Sequence, residues 1–439
     1  MRFTINLKQF MQILPQDDVH PAVARLFKHN FTVNFLDNAI WMFGDNFSSI
    51  STILPVFVST LTDSPIILGL IPAIINAGWF LPQLFMANRV QHSPSRFALA
   101  RKLALFERVP YIFFPILALM INRIPTPAVL WIFIILIIWR GLASGLTALP
   151  WQMVIAAVIP MSHRSRFFGV SRLAGQVLGV VGSAVAALIF DRMAYPYNYA
   201  LCFLIGFLAI SVSYIFFAMS KDPKAEDASS QDQISPEPAP ENNWASYKTI
   251  LKQDLNFRNY LASRSCYFIG NMASGFLAVY GIQKFALSES QAAIFTGLIF
   301  ASGIAGYALW GSVGDRIGPR RIMLVSCLVW IAALAVAMVA SSFWFYYLVF
   351  LLLGLASAGF NLGDLVLVME LGREEQQATY LGLARSLPGI FLLVAPIFAG
   401  WIVGKTSYPF MFGLAIAFSV LSFAFMLRVK DRQRIYRSE

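Results

Sequence analysis

Asp45 and Arg140 are single charges set in apolar surroundings, within Gly44-Asp45-Asn46 and Arg140-Gly141-Leu-Ala-Ser-Gly145. A charge at the centre of a membrane helix costs about 2.5–3.5 kcal/mol on insertion scales, so it faces a cavity or a partner. Such a carboxylate and guanidinium can hold a charged solute, carry a proton, or pair with each other as a purely structural tie. Asp364 is a second carboxylate of this kind and a second candidate for a protonatable switch. Asn46, Asn271 and Asn361, with Trp151 and Gln152, add groups that bind hydroxyls, amides or carboxylates. The same amides can simply tie helix to helix, worth about 0.6 kcal/mol on average. Arg172 and Arg385 each follow a glycine by three residues. They suit an anionic solute, or a structural role in which the side chain snorkels to the interface. Asp37, Arg264 and Glu370 lie nearer the ends of apolar runs and read as gates or interfacial anchors.

Other chemistries lack their residues. Cys202, Cys266 and Cys327 all fall in apolar segments, with neither metal spacing nor a disulfide pattern. His20, His29, His92 and His163 sit in tails or loops, without the spacing of metal ligands. No Gly-x-x-x-x-Gly-Lys-Ser/Thr loop is present, so no ATPase is indicated. No metal and no cofactor are expected. A membrane-embedded enzyme would need clustered catalytic groups at membrane depth, and a channel would need a filter-like loop; neither is visible.

The elements that position these residues follow from composition. The chain has 439 residues, 58% hydrophobic and 13% charged, against about a quarter charged in a soluble domain. The expected class is an all-α polytopic membrane protein. A net charge of +11 raises nucleic acid as a partner, but the basic residues lie between apolar spans rather than in a patch. A span needs about 20 mostly apolar residues. Twelve fit, near 33–60, 65–87, 107–122, 127–158, 167–190, 197–219, 259–283, 291–313, 321–340, 343–370, 377–403 and 407–428.

With both termini inside, most of the 33 Lys and Arg fall on the cytoplasmic side. Arg123, Arg192, Lys284 and Lys405 lie outside, and Arg140, Arg172, Arg264 and Arg385 lie within spans. That asymmetry predicts an even number of spans in the cell membrane with cytoplasmic ends. Residues 1–32 read as a tail without a signal peptide's apolar core. The expected organisation continues with bundles over 33–220 and 258–429, joined by a linker over 221–257, and a tail over 430–439. Lys221 to Asn242, with Ser235-Pro-Glu-Pro-Ala-Pro-Glu241, is too polar to fold alone. Trp244 to Asn256 is amphipathic enough for a short interfacial helix.

The two bundles repeat each other. Gly141-Leu-Ala-Ser144 recurs as Gly354-Leu-Ala-Ser357, and Gly169 and Arg172 recur as Gly382 and Arg385. Asn34, Phe43, Asn46 and Ser49 match Asn259, Phe268, Asn271 and Ser274; Asn88-Arg89 lies opposite Asp315-Arg316. Extra residues between Arg89 and Gly141 are expected to enlarge the loop around Ser93 to Arg108.

The turn Gly311-Ser-Val-Gly-Asp315-Arg316-Ile-Gly318-Pro-Arg320-Arg321 closes this reading. It resembles the loop between helices 8 and 9 of major facilitator superfamily transporters: a glycine, then Asp-Arg, then glycine and basic residues. The resemblance covers residues 33–428. It implies twelve helices in two pseudo-symmetric six-helix bundles and a latch between helix ends at Gly311, Asp315, Arg316, Gly318, Arg320 and Arg321. Asn88-Arg89-Val-Gln-His-Ser lacks the aspartate and the closing glycine, so the latch is expected in the second half only. It also implies that the first and fourth spans line a central cavity, which suits an Asp45–Arg140 pair across it. Arg140-Gly141 is similar to a fourth-helix arginine motif linked to proton coupling, without the usual arginine-to-glycine spacing.

The function implied is secondary active transport of a small solute by alternating access, with protons as the candidate coupling ion and a monomer as the working unit. Two features separate the alternatives. The fifth span, Gly175-Gln-Val-Leu-Gly179-Val-Val-Gly182, lacks the Gly-Pro motif of the superfamily's drug antiporters and instead offers a small-residue face for close packing. Gly44-Asp45-Asn46 has a likeness to lysophospholipid transporters of the superfamily, so a lipid-translocating member is the second reading. The sequence leaves substrate and direction open.

Overall fold

The computed structural model describes residues 19–91, 93, 95–223, 244–371 and 377–430. The linker stretch 224–243 and both expected tails, up to residue 18 and from residue 431, lie outside the described residues. The described chain is helical. The first half comprises α1 (Pro21–Asn46), α2 (Ile53–Ser59), α3 (Pro65–Gln91), α4 (Arg96–Met120), α5 (Thr126–Val158), α6 (Met161–Arg192) and α7 (Tyr197–Ala218). A short helix, α8 (Trp244–Gln253), precedes the second half. That half comprises α9 (Leu255–Gly270), a 3-10 turn (Asn271–Ala273), α10 (Ser274–Phe285), α11 (Ser290–Ile317), α12 (Pro319–Val339), α13 (Phe343–Leu371), α14 (Gln377–Lys405) and α15 (Tyr408–Arg428).

Eleven spans among the described residues are long and apolar enough to cross a membrane, α9 with α10 forming one of them. The twelfth is α1 with α2, broken in the middle. Large apolar side chains such as Ile135, Leu188, Ile390 and Phe398 point outward, as a lipid environment requires and water would penalise.

The two halves pack alike. In the first, α3 and α4 lie on α5, while α1 lies on α6 and α7. In the second, α11 and α12 lie on α13, while α9 lies on α14 and α15. The halves meet where α3 packs on α14 and α6 on α11, positions that exchange under the repeat, and α2 touches α10.

The repeated glycines explain part of this. A Cβ on Gly354 would come within 2.1 Å of Ser302 Oγ on α11. One on Gly78 of α3 would come within 2.3 Å of the Gly141 carbonyl carbon on α5. Gly141 and Gly354 therefore sit at the same close crossing in each half, where backbones touch without side chains between them. The fifth-span glycines divide between two neighbours: Gly175 and Gly182 face Met42 and Asn46 of α1, and Gly179 faces Phe300 of α11.

Three expectations change. Helix α1 begins at Pro21, so residues 21–32 are its first turns rather than tail; Ala22, Leu26, Phe27 and Phe31 are buried there against α6 and neighbouring aromatics. The residues from Arg96 on are not loop but the start of α4, whose N-cap Ser95 accepts from the Ala98 N–H. The extra residues of the first half are spread over a longer α3–α4 connection, a longer α4 and a longer start of α5. Finally, the first and seventh spans are not continuous helices. Each breaks at its repeat-mate asparagine, Asn46 or Asn271.

Candidate substrate cavity and its ion pairs

Breaking a helix at membrane depth frees backbone groups that lipid cannot satisfy. In the first span the Arg140 guanidinium meets that need. Its Nη1 donates to the Ser48 carbonyl at 3.2 Å, just beyond the end of α1. Its Nη2 pairs with Asp45 Oδ1, the group lies over the Tyr111 ring at 5.0 Å, and the Tyr111 hydroxyl donates to the same Asp45 oxygen at 3.4 Å. The sequence-predicted pair therefore forms, held by α1, α4 and α5. Arg140 is buried and the Asp45 side chain keeps 27% of its exposure.

The second half carries a pair of opposite polarity. Arg264 comes from α9 and Asp364 from α13, so the base now lies on the broken span. Arg264 Nε is 2.9 Å from Asp364 Oδ1, but its N–H is not aligned with that oxygen and is buried without an acceptor among the described residues. The Tyr260 hydroxyl donates to the same oxygen at 2.5 Å. The guanidinium rests on the rings of Phe268, at 4.4 Å, and Tyr267, at 5.4 Å. Tyr260, Arg264 and Tyr267 are spaced i, i+4, i+7, which puts them on one helical face.

A third charged cluster went unread in the sequence. Asp37, Glu107 and Arg108 are all buried. Arg108 reaches Glu107 at 3.2 Å and Asp37 at 3.8 Å; the Ser213 hydroxyl and the Trp151 indole donate to Asp37 at 2.6 and 3.4 Å. Asp37 is thus an interior group rather than an interfacial anchor. The signal was the run Asn30, Asn34, Asp37, spaced i, i+4, i+7, which turns one polar face of α1 toward α7. There Asn30 exchanges hydrogen bonds with the Lys221 backbone and Asn34 donates to Ser220.

A cavity of about 230 Å³ opens at the break of the seventh span. Arg264, Asn271, Ser274, Ser357 and Asn361 give it polar walls, Tyr267, Phe268 and Phe360 an aromatic one, and Ser51 reaches it from the first half. A second, larger cavity of about 420 Å³ lies between the halves at the far end of the spans, lined by Ser59, Asp63, Gln283 and Tyr408 among others.

The remaining sequence-predicted residues are placed as follows. Asn271 and Asn361 line the cavity, and Asp364 is held beside it on Arg264. Asn46 is buried against α6, its Oδ1 accepting from the Ser183 hydroxyl at 3.0 Å. Gln152, Arg172 and Arg385 are exposed; Gly169 and Gly382 beside the two arginines have nothing within 4 Å of an added Cβ. In the charged turn, Gly318 takes φ +80°, the left-handed region that glycine enters without strain, and so turns α11 into α12. Arg320 donates from Nε to the Met426 carbonyl at 3.2 Å and from Nη2 to the Leu427 carbonyl at 2.6 Å, closing the end of α15. Gly311, Arg316 and Arg321 are exposed on the turn or beside it, and the Asp315 side chain lies outside the described residues.

Two halves of like packing, with eleven long apolar spans among the described residues and a broken first span beside them, are the architecture of a multi-pass membrane protein. The Major Facilitator Superfamily family model matches residues 260–438. An uncharacterized MFS-type transporter of Methanocaldococcus jannaschii is 22% identical over 287 residues, covering 63% of this chain and 67% of its own. Among solved structures, a mutant form of the nucleoside transporter NupG superposes with a TM-score of 0.70 at 16% identity, covering 92% of this chain and all of its own. A D-xylose–proton symporter gives 0.69 at 14% identity, covering 92% and 97%. A bacterial homolog of the human lysosomal transporter Spinster, inward-facing, gives 0.63 at 14% identity, covering 94% and 97%. The second half of the chain thus matches the Major Facilitator Superfamily model, and the chain as a whole shares the fold of these solved transporters.

Proposed function

We propose that the protein carries a small polar solute across the membrane by alternating access, driven by protons. The observation that carries this reading is the cavity at the break of the seventh span. It is walled by Arg264, Asn271 and Asn361, and it lies near contacts that join the halves. Rocking of a unit over 33–220 against one over 258–429, tethered by 221–257, would open the cavity to either side in turn. The relatives named as nucleoside and D-xylose–proton transporters support a polar cargo, since the fold they share accommodates such solutes.

In this reading Asn271, Asn361 and Arg264 bind the solute, and Asp364 and Asp45 are the protonatable groups. Arg140 and Asn46 hold the broken first span in shape. Gln152, Arg172 and Arg385 line the path on the cytoplasmic side of the plasma membrane, the side on which both termini lie. Arg320 and its turn hold the cytoplasmic ends of α11, α12 and α15 together. The working unit is a monomer.

The test is uptake by proteoliposomes of a panel of sugars, nucleosides, amino acids and carboxylates, with and without an imposed pH gradient. Accumulation of one class that collapses with the gradient is expected. Uptake that proceeds only to equilibrium, indifferent to the gradient, would make the protein a facilitator and remove the proton from the scheme.

A further inference from the structure

We infer that the cavity binds a small organic carboxylate, which takes the place of Asp364 on Arg264; this rests on the transporter reading above. The cavity has one cation and no carboxylate among its described lining residues. Its counter-charge, Asp364, pairs with Arg264 at 2.9 Å without itself lining the cavity. That ion pair is badly made. The Arg264 Nε–H misses the Asp364 oxygen and has no other acceptor among the described residues, although it is buried. An anion from the cavity that displaced Asp364 would accept that hydrogen bond, and a charge-assisted bond of this kind is roughly twice as strong as a neutral one. The Phe268 and Tyr267 rings lie against the guanidinium, their centres 4.4 and 5.4 Å from its carbon. The fork of N–H donors on such a group matches a planar carboxylate.

Size and lining narrow the class. About 230 Å³ lies below the roughly 300 Å³ at which pockets for drug-sized ligands begin. The Phe268 and Phe360 rings suit a short apolar or aromatic stub, and Asn271 and Asn361 suit a hydroxyl or carbonyl beside it. A neutral sugar would leave the Arg264–Asp364 pair intact and use only the amides and serines.

Displacement also supplies the coupling. When the substrate carboxylate occupies Arg264, the Asp364 carboxylate loses its counter-charge at membrane depth and takes up one proton from water, becoming a neutral acid beside the Tyr260 hydroxyl. One anion and one proton are then bound together, with no net charge added to the site. Leaving reverses both steps: the proton returns to water and Asp364 returns to Arg264.

The experiment uses the full chain in detergent under weak buffering, with lactate and benzoate as probes and lactamide, benzamide, D-xylose and uridine as neutral comparisons. Calorimetry reads binding and a pH electrode reads proton uptake. Expected is binding of lactate or benzoate at least about tenfold tighter than of its amide, with about one proton taken up per anion bound. Asp364→Asn should keep the binding and lose the proton uptake, Asp364→Glu should restore it, and Arg264→Gln should lose both. Binding of D-xylose or uridine without either carboxylate would overturn the substrate class and leave the transporter reading standing. Carboxylate binding without proton uptake, or uptake that persists in Asp364→Asn, would overturn the displacement. Silence from every probe, with no solute accumulated by proteoliposomes, would overturn the transporter reading as well.

Discussion

Arg140 donates to the backbone carbonyl of Ser48, 3.2 Å away, at the point where the first span stops being helical. A side chain from α5 thus replaces the helix bond that the break removed, and its charge is met by Asp45 on the last turn of α1. The pair and the break stabilise each other.

Removing the cation alone should be the costly change. Arg140→Met leaves Asp45 without its partner and the Ser48 carbonyl without a donor. Breaking such a pair from one side costs about 3–5 kcal/mol when the remaining charge is buried, and somewhat less here because Asp45 is part-exposed. Combining it with Asp45→Asn should recover most of the loss, leaving about 1–3 kcal/mol for the orphaned carbonyl. Unfolding in detergent, read for all members of the double-mutant cycle, checks this. A double variant no more stable than Arg140→Met would mean that the ion pair contributes nothing.

The glycines should sort by what surrounds them. Gly354→Ala and Gly78→Ala drive a methyl into backbone or Ser302 and should cost about 1–3 kcal/mol by overpacking. Gly169→Ala and Gly382→Ala meet nothing and should gain up to about 1 kcal/mol from helix propensity. Melting temperatures of the four purified variants, moving in opposite directions by pair, are the expected result.

Arg320 should matter and Arg321 should not. Arg320→Ala removes two bonds to the last carbonyls of α15 and should lower stability by about 1–3 kcal/mol, with Arg321→Ala, exposed, close to neutral. Equal melting temperatures for the two would show that the turn does not clamp α15.

Stability should depend on pH through Glu289, which lies outside the spans in the α10–α11 connection. Burial pushes its carboxyl above the ordinary glutamate value, opposed by the nearby polar groups of Tyr199 and Asn198 in the other half. The folded state therefore holds this proton more tightly than the unfolded one, and stability through this group falls as pH rises. The penalty is absent below the ordinary glutamate value of about 4.3 and complete above the raised one. Glu289→Gln should flatten that part of the profile between mildly acidic and neutral pH. A wild-type slope that the variant retains would assign the effect to another group.

The contact between the halves should be trappable. The hydroxyls of Thr52 and Thr296 meet across the halves, so the paired change Thr52→Cys and Thr296→Cys, in a chain cleared of Cys202, Cys266 and Cys327, should oxidise to a disulfide. Mass spectrometry reads the bridge, and proteoliposome uptake should stop until a reductant is added. A bridge that forms without arresting uptake would show that this contact does not open during transport.

Much of this protein was legible in the order of its residues. Apolar runs of membrane length, basic residues gathered in alternate connections and glycines repeated in both halves are local properties, and lipid allows few other folds for them. The Asp45–Arg140 pair was legible for the same reason, since two isolated charges of opposite sign in apolar runs need each other. Tertiary structure decided what depends on distance between elements. It turned Asn46 into a tie between helices and Asn271 into cavity wall, although the two are repeat mates. It also buried Asp37 with Glu107 and Arg108, which sit at the edges of apolar runs where hydropathy says little. Arg264 shows the limit best. Only the crossing of α9 and α13 shows that Asp364 meets it imperfectly, because the alignment of one N–H with one oxygen depends on a helix rotation that no spacing in the sequence records.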